Sequence, residues 1–297
     1  MPKTGGETDM GKGDHGRPTA LVTGASSGIG RETAILLAEE GFQVIAAARR
    51  MERLEELSGR LNNIEPMGVD LSDPDDTKRF CNQISGRSDP VSVLVNNAGY
   101  SIRGVLEDVP VAAARRMFEV NVFSLMRVTQ ACLPGMRRQR RGTVVNVSSM
   151  AGRFAFPASG PYAATKHAVE AITDALRVEV RPFGIRVVAI RPGFIATEFN
   201  EAANQTTGDL MARTDPDYRP VYETSGKGIG RMFADVTIPG PDLIARLILE
   251  AITADDPQPA YQAGLFAGEF LEQRKELGDE GFDEYLSEKT GLKDLKL

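Results

Sequence analysis

Two tyrosine–lysine pairs in this chain share one spacing. One lies in "YAATK", Tyr162 to Lys166, and the other in "YLSEK", Tyr285 to Lys289. Residues four apart stand on the same helix face. A free phenol gives up its proton only near pH ~10. An ammonium beside it favours the phenolate and lowers that value. Either pair is therefore an acid/base of the kind that interconverts an alcohol and a carbonyl.

Context separates the two. Tyr162 opens a helical pattern primed by "SGP" (159–161), and that helix follows an apolar strand. The strand runs out in "NVSSMAG" (146–152), which puts Ser149 thirteen residues before Tyr162. A hydroxyl there can donate to a substrate oxygen. Tyr285 has Glu272 at the same offset and no strand before it. Lys289 is expected to form a charged helical face with Glu284 and Glu288. The second pair reads as structure.

The elements that must position Tyr162 follow from periodicity. "TALVT" (19–23), "FQVIAA" (42–47), "IEPMGV" (64–69), "VSVLVN" (91–96), "GTVVNV" (142–147) and "IRVVAI" (185–190) are short and apolar on both faces, as buried parallel strands are. "PAYQAG" (259–264) supplies a seventh. Helical patterns lie between them near 28–40, 50–61, 73–84, 110–138 and 161–182, and return at 241–252. "SDPDD" (72–76) carries a cap, an early proline and first-turn acids. This alternation predicts an α/β, Rossmann-like doubly wound parallel sheet with helices on both faces. Residues 1–18 read as a flexible tail, 19–264 as one domain, and 265–297 as a helical extension. Within the domain, 193–238 shows no clear period and reads as an irregular substrate loop.

Between the first strand and the first helix stand Gly24, Gly28 and Gly30, spaced G-x-x-x-G-x-G. Glycines there allow a tight turn and close approach of a phosphate, while the helix N-terminus offers free N–H groups to the anion. The expected ligand is a dinucleotide. It is also the source of the hydride that no side chain carries. The second strand ends not in an acid but in Arg49 and Arg50. A guanidinium binds a 2′-phosphate that an acid would repel. NADP(H) is thus favoured over NAD(H), with Arg49 the leading candidate. A later "GKGIG" (226–230) follows no strand and reads as loop.

Composition excludes other classes. The net charge of −6 argues against nucleic acid as a partner. "RRQRR" (137–141) reads as the solvated end of a helix. Cys81 and Cys132 are far apart and read as free thiols, and with only two histidines no metal site is expected. No apolar run approaches the ~20 residues of a membrane span. A cytoplasmic protein is the expectation.

The chain resembles the short-chain dehydrogenases/reductases. The matching pieces are "TGASSGIG" (23–30), "VDLSD" (69–73), "NNAG" (96–99), "FEVNV" (118–122), "NVSS" (146–149), "YAATK" (162–166) and "RPGFIATEF" (191–199), in the family's order over about residues 18–200. The resemblance implies that Tyr162 transfers the proton and that Lys166 lowers its pKa and binds the nicotinamide ribose. Ser149 would polarise the substrate carbonyl, and Asn121 would hold a water that links Lys166 to solvent. Cofactor contacts would come from Ser26, Ser27 and Ile29 beside the three glycines, and from Asp70 and Leu71 at the adenine. Asn97, Ala98 and Gly99 would border the cofactor, with Pro192, Gly193, Ile195 and Thr197 toward the nicotinamide. The implied substrate is a small-molecule carbonyl or alcohol. Phe154, Phe156, Phe194, Phe199, Met211, Met232 and Phe233 suggest a bulky apolar one, and "VLVNNAGYSIRGVLEDV" (93–109) with "LRVEVRPFGIRVVAIRPGFIATEF" (176–199) resembles the hydroxysteroid- and retinol-type members. A homodimer or homotetramer through the helices near 110–138 and 161–182 is implied as well. An NAD-dependent alcohol dehydrogenase and a non-catalytic dinucleotide-binding protein are the alternatives.

Overall fold

The computed structural model describes residues 17–296. Most of the tail expected over 1–18 lies outside them. Seven apolar runs form one parallel sheet in the order β3-β2-β1-β4-β5-β6-β7. These are β1 (Thr19–Thr23), β2 (Gln43–Ala48), β3 (Ile64–Gly68), β4 (Val93–Asn96), β5 (Gly142–Val147), β6 (Ile185–Pro192) and β7 (Ala260–Ala263). The interior strands are buried on both faces, which is why they read as unbroken apolar runs rather than alternating ones.

Helices cover both faces. On one side lie α1 (Gly28–Glu39), α2 (Met51–Arg60) and α9 (Asp242–Thr253), whose Leu37, Leu54, Ile244 and Ile248 bury against Val22, Val44 and Val145. On the other lie α3 (Pro74–Ser85), α5 (Leu125–Gln139) and α6 (Gly160–Val180), with Phe80, Val128, Met136 and Leu176 against Leu21, Leu94 and Val187. The fold is the doubly wound one that the pattern predicts. α3 starts as its sequence prescribes, with the Asp73 side chain accepting from the backbone N–H groups of Asp75 and Asp76 and Pro74 in the first turn. α5 is preceded by α4 (Val111–Phe118) and a π-helical turn over Glu119–Ser124. At the basic end of α5, Arg137 and Arg140 lie over the Phe183 ring, 5.7 and 5.8 Å from its centroid.

The strand order reverses between β1 and its neighbours β2 and β4, which opens a crevice at the carboxyl ends of the strands. The segments that continue β1, β4 and β5 there carry Gly24, Asn97 and Ser149.

Residues 193–238 depart from the irregular segment expected. They hold two helices, α7 (Glu198–Met211) and α8 (Arg219–Met232). α7 buries only Ala203 and Leu210, so its sequence carries almost no apolar stripe to read. "GKGIG", read as loop, is the second half of α8. Gly228 serves close helix contact there: a Cβ on it would lie 2.2 Å from the Thr290 carbonyl oxygen. Thr290 ends α11 (Gly278–Thr290), which follows α10 (Ala267–Glu276). These two helices bring Phe270 and Phe282 onto Phe154 and Phe156, and Tyr285 onto Phe270 and Phe282, with ring centroids 5.0 to 5.8 Å apart.

Candidate active site

The glycine loop is moulded onto the end of β4. Gly24 takes φ +70°, and a Cβ there would stand 2.9 Å from the Ala98 Cα. The Asn97 side-chain amide donates to the Thr23 carbonyl at 3.0 Å, and the Thr23 hydroxyl accepts from the Asn97 and Ala98 N–H groups. α1 then begins at Ser27 with no side-chain cap among the described residues and no acid in its first turn. Its first N–H groups are left for an anion. Gly28 backs onto Thr197, where a Cβ would meet the threonine methyl at 3.1 Å. Ser26 is buried, and Ile29 packs half-buried against the core.

At the end of β2 the two arginines divide. Arg49 is exposed. Arg50 donates to Ser27 Oγ at 2.7 Å and to Ser26 Oγ at 3.2 Å. Sequence reasoning put Arg49 first; the geometry puts Arg50 on the glycine loop. Glu198 of α7 spans the crevice from the other side, accepting from Arg50 at 2.8 Å and from Arg53 at 2.6 Å. Asp70 accepts from the Ser72 N–H and hydroxyl at 2.9 and 2.8 Å. Burial opposes its ionisation, but Ser72 together with the charges of Arg49 and Arg116 holds the carboxyl below its ordinary value. Leu71 is buried, and its carbonyl accepts from Ser124 Oγ at 2.7 Å.

Ser149, Tyr162 and Lys166 come together where β5 meets α6. Asn96 and Asn146 are register partners at the ends of β4 and β5 and are joined at 2.9 Å, fixing those ends. Ser149 follows in extended conformation, its Oγ accepting from the Ala151 N–H at 3.1 Å. Lys166 is buried and donates to the Val147 carbonyl at 2.8 Å. A Cβ on Gly99 would come 3.8 Å from its ammonium, so Gly99 keeps that approach open. Asn121, in the π-helical turn, exchanges hydrogen bonds with the Tyr100 backbone at 3.0 and 2.9 Å and donates to Thr165 Oγ at 3.1 Å.

Burial pushes the Tyr162 phenol up to about 12, against the Ser149 hydrogen bond and the charge of Arg103. It pulls the Lys166 ammonium down to about 8, against the charge of Glu170. The ammonium lies 5.9 Å from the ring centroid and is bonded elsewhere, and the groups that counter burial at Tyr162 are Ser149 and Arg103.

Tyr285 and Lys289 do not reach this place. Both donate to one carboxylate oxygen of Glu269, at 2.6 and 2.7 Å, rather than joining the expected face with Glu284 and Glu288.

The roof differs from the one expected. Phe154, Phe156, Phe194 and Met232 pack with α10 and α11, and Phe233 meets Phe194 and Phe266 edge to face. Only Phe199 of the aromatic set faces Tyr162, with centroids 5.7 Å apart. The apolar wall on Tyr162 is Ile102, Val109, Met117 and Leu210, with Tyr100 beside them. Sequence reasoning also missed Arg103, Glu170 and Glu198. Glu170 is buried one turn beyond Lys166 and held by Arg191 at 2.7 and 3.0 Å, a partner that only the fold brings near.

A family model for short chain dehydrogenases matches residues 18–208. The chain belongs to the short-chain dehydrogenase/reductase family. It is an oxidoreductase of that class, and its fold is one that takes a nicotinamide dinucleotide. Among its relatives, the dehydrogenase/reductase SDR family member 7B of Xenopus laevis is 37% identical over 238 residues, covering 74% of this chain and 73% of that one. The crystal structure of a short-chain dehydrogenase from Streptomyces avermitilis superposes with a TM-score of 0.73 and 29% identity, covering 95% of this chain and 100% of the other. A short-chain dehydrogenase from Sphingobium yanoikuyae, solved in complex with NADPH, gives a TM-score of 0.61 and 31% identity over 63% and 75% of the two chains. In this short-chain dehydrogenase/reductase the residues fit a dinucleotide: the α1 N-terminus lacks a cap among the described residues, and Arg50 stands beside it.

Proposed function

We propose that this protein reduces the carbonyl of a small molecule with an apolar body to an alcohol, with NADPH as reductant. The observation that carries the reading is the convergence of Ser149, Tyr162 and Lys166 at one buried point beside the glycine loop. When bound, NADPH supplies the hydride to the carbonyl carbon. Ser149 orients the carbonyl oxygen. Tyr162 delivers its proton to that oxygen, and its burial keeps the phenol fully protonated at neutral pH. Lys166 sits one turn along as the cation that stabilises the phenolate left behind, and Asn121 fixes the strand-end loop against α6.

Arg50, with Ser26 and Ser27, supports NADP(H) over NAD(H): a guanidinium held on the phosphate loop suits a 2′-phosphate. The NADPH complex of the Sphingobium yanoikuyae relative agrees with that preference. Gly24, Gly30, Asp70, Leu71, Asn97, Pro192, Gly193, Ile195 and Thr197 complete the cofactor crevice in this reading. The apolar wall of Ile102, Val109, Phe199 and Leu210 favours an apolar body on the substrate. Exposed Phe123 and Met126 near the start of α5 and Val178 on α6 fit burial in a homodimer or homotetramer. Free Cys81 and Cys132 fit a reducing compartment such as the cytoplasm.

The test is Tyr162→Phe. It keeps NADPH binding and loses carbonyl-dependent NADPH consumption; unchanged turnover overturns the assignment. Comparing NADPH with NADH turnover separates this reading from an NAD-dependent alcohol dehydrogenase.

A further inference from the structure

Arg103 stands in the β4–α4 connection, in the sequence "YSIRG" (100–104), between residues that wall Tyr162. It is half-buried. Its guanidinium donates to Asn200 Oδ1 at 2.9 Å and, more weakly, to Asn204 Oδ1 at 3.4 Å. Both acceptors are neutral amides one turn apart on α7, and Arg103 pairs with no carboxylate among the described residues. Three other arginines at this end of the sheet have carboxylates: Arg50 and Arg53 have Glu198, and Arg191 has Glu170. Burial draws Arg103 below its ordinary pKa, and the charge it feels in return is that of Tyr162. A desolvated cation left without an anion is costly. Two amides hold the fork in place and leave its charge unspent.

The loop is fixed. Val105 N–H donates to the Tyr222 hydroxyl at 3.0 Å, and that hydroxyl donates to Asp108 at 2.8 Å. A Cβ on Gly104 would strike Leu210 at 2.6 Å, so the loop lies directly under α7. Arg103 thus presents a guanidinium of set orientation beside the proton donor.

We infer that the substrate carries a carboxylate as well as the reducible carbonyl, and that Arg103 binds it. A planar fork meets a carboxylate through two parallel N–H···O bonds, a geometry an ammonium cannot copy. With the apolar wall opposite, the fitting class is an oxo acid or hydroxy acid with an aliphatic body. The inference rests on the carbonyl-reductase reading above and adds the charge of the substrate to it.

The experiment pairs turnover with binding. A series of oxo acids of increasing carbonyl-to-carboxylate spacing is assayed with NADPH, each against its methyl ester. Hexanoate and hexanamide are titrated calorimetrically into the enzyme saturated with NADPH. The wild type prefers acid to ester, and Arg103→Gln lowers that preference by roughly 10- to 100-fold in kcat/KM, the worth of a charge-assisted hydrogen bond. The acid-to-ester ratio cancels any effect of Arg103 on Tyr162 that all substrates share. Arg103→Lys retains charge without the fork and restores only part of the ratio. Hexanoate binds the wild type and not Arg103→Gln, while hexanamide binds neither measurably. Retained NADPH affinity and thermal midpoint show that the variant is folded. Equal use of acids and esters, or a ratio unmoved in Arg103→Gln, overturns the inference and leaves the reductase reading intact. A chain that consumes no NADPH with any carbonyl overturns the reductase reading, and the hexanoate titration then decides the role of Arg103 alone.

Discussion

Glu198 engages Arg50, the arginine to which the proposed function gives the cofactor's 2′-phosphate, together with its neighbour Arg53. It lies on α7 and meets Arg50 at 2.8 Å and Arg53 at 2.6 Å. The same Arg50 reaches Ser26 and Ser27 on the glycine loop. A 2′-phosphate entering there displaces the carboxylate or works against it. The side chains are 39% and 49% exposed, so each pair belongs with surface ion pairs. At about 0.5 kcal/mol apiece, the two together contribute about 1 kcal/mol. Glu198→Gln should therefore tighten NADPH by about fivefold, since 1.4 kcal/mol is tenfold in affinity. NADH, which lacks the 2′-phosphate, should gain far less. Fluorescence titration of both cofactors, at low and high salt, reads the difference. The gain should shrink as salt rises, because the pairs face water. The difference between Glu198→Gln and wild type should also vanish at a pH low enough to protonate Glu198, whose carboxyl Arg50 and Arg53 hold below the ordinary value. Equal tightening of NADPH and NADH, or none, refutes the competition.

Lys166 and Tyr162 give a pH profile with a definite sign. Lys166 falls to about 8 and Tyr162 rises to about 12, so kcat/KM for reduction should be flat near neutrality and decline above pH about 8 as the ammonium is lost. Stability runs the other way. The unfolded lysine keeps its proton to higher pH than the folded one, so stability rises from pH about 8 toward the ordinary lysine value of 10.5; the unfolded phenol ionises from about 10 while buried Tyr162 keeps its proton, so stability then falls up to about pH 12; urea titrations across that range check it. Gly228→Val should cost at least about 1–3 kcal/mol in urea, because its Cβ has no room against Thr290. Tyr285→Phe should leave kcat/KM unchanged and cost about 1 kcal/mol or less, the worth of its hydrogen bond to Glu269.

The sheet was legible because a buried parallel strand has no polar face to hide it. Tyr162, Lys166 and Ser149 were legible because one helix face and one strand end fix their spacing. The two adjacent arginines were not resolved, since which one turns toward the loop depends on where α2 begins, and Arg50 is its N-terminal boundary residue. α7 escaped because its buried face is two residues, and the end of α8 because its three glycines read as loop although Gly228 serves contact with Thr290. Arg103 escaped for a different reason. It lies in a connection without period, and its meaning comes from α7, nearly a hundred residues later.

The seating of Gly228 on Thr290 has a consequence for biogenesis. During synthesis every strand, and with them Ser149, Tyr162 and Lys166, emerges before Phe270, Phe282 and Thr290 do. The nascent sheet can gather its layers while α8 still lacks its seat and Phe154 and Phe156 lack their aromatic partners. The sheet and Tyr162 are thus assembled ahead of the α10–α11 cluster, and for that interval the half-made molecule shows the translation machinery a bare aromatic face. A chaperone that recognises such faces has its natural window there, and it closes when α11 docks.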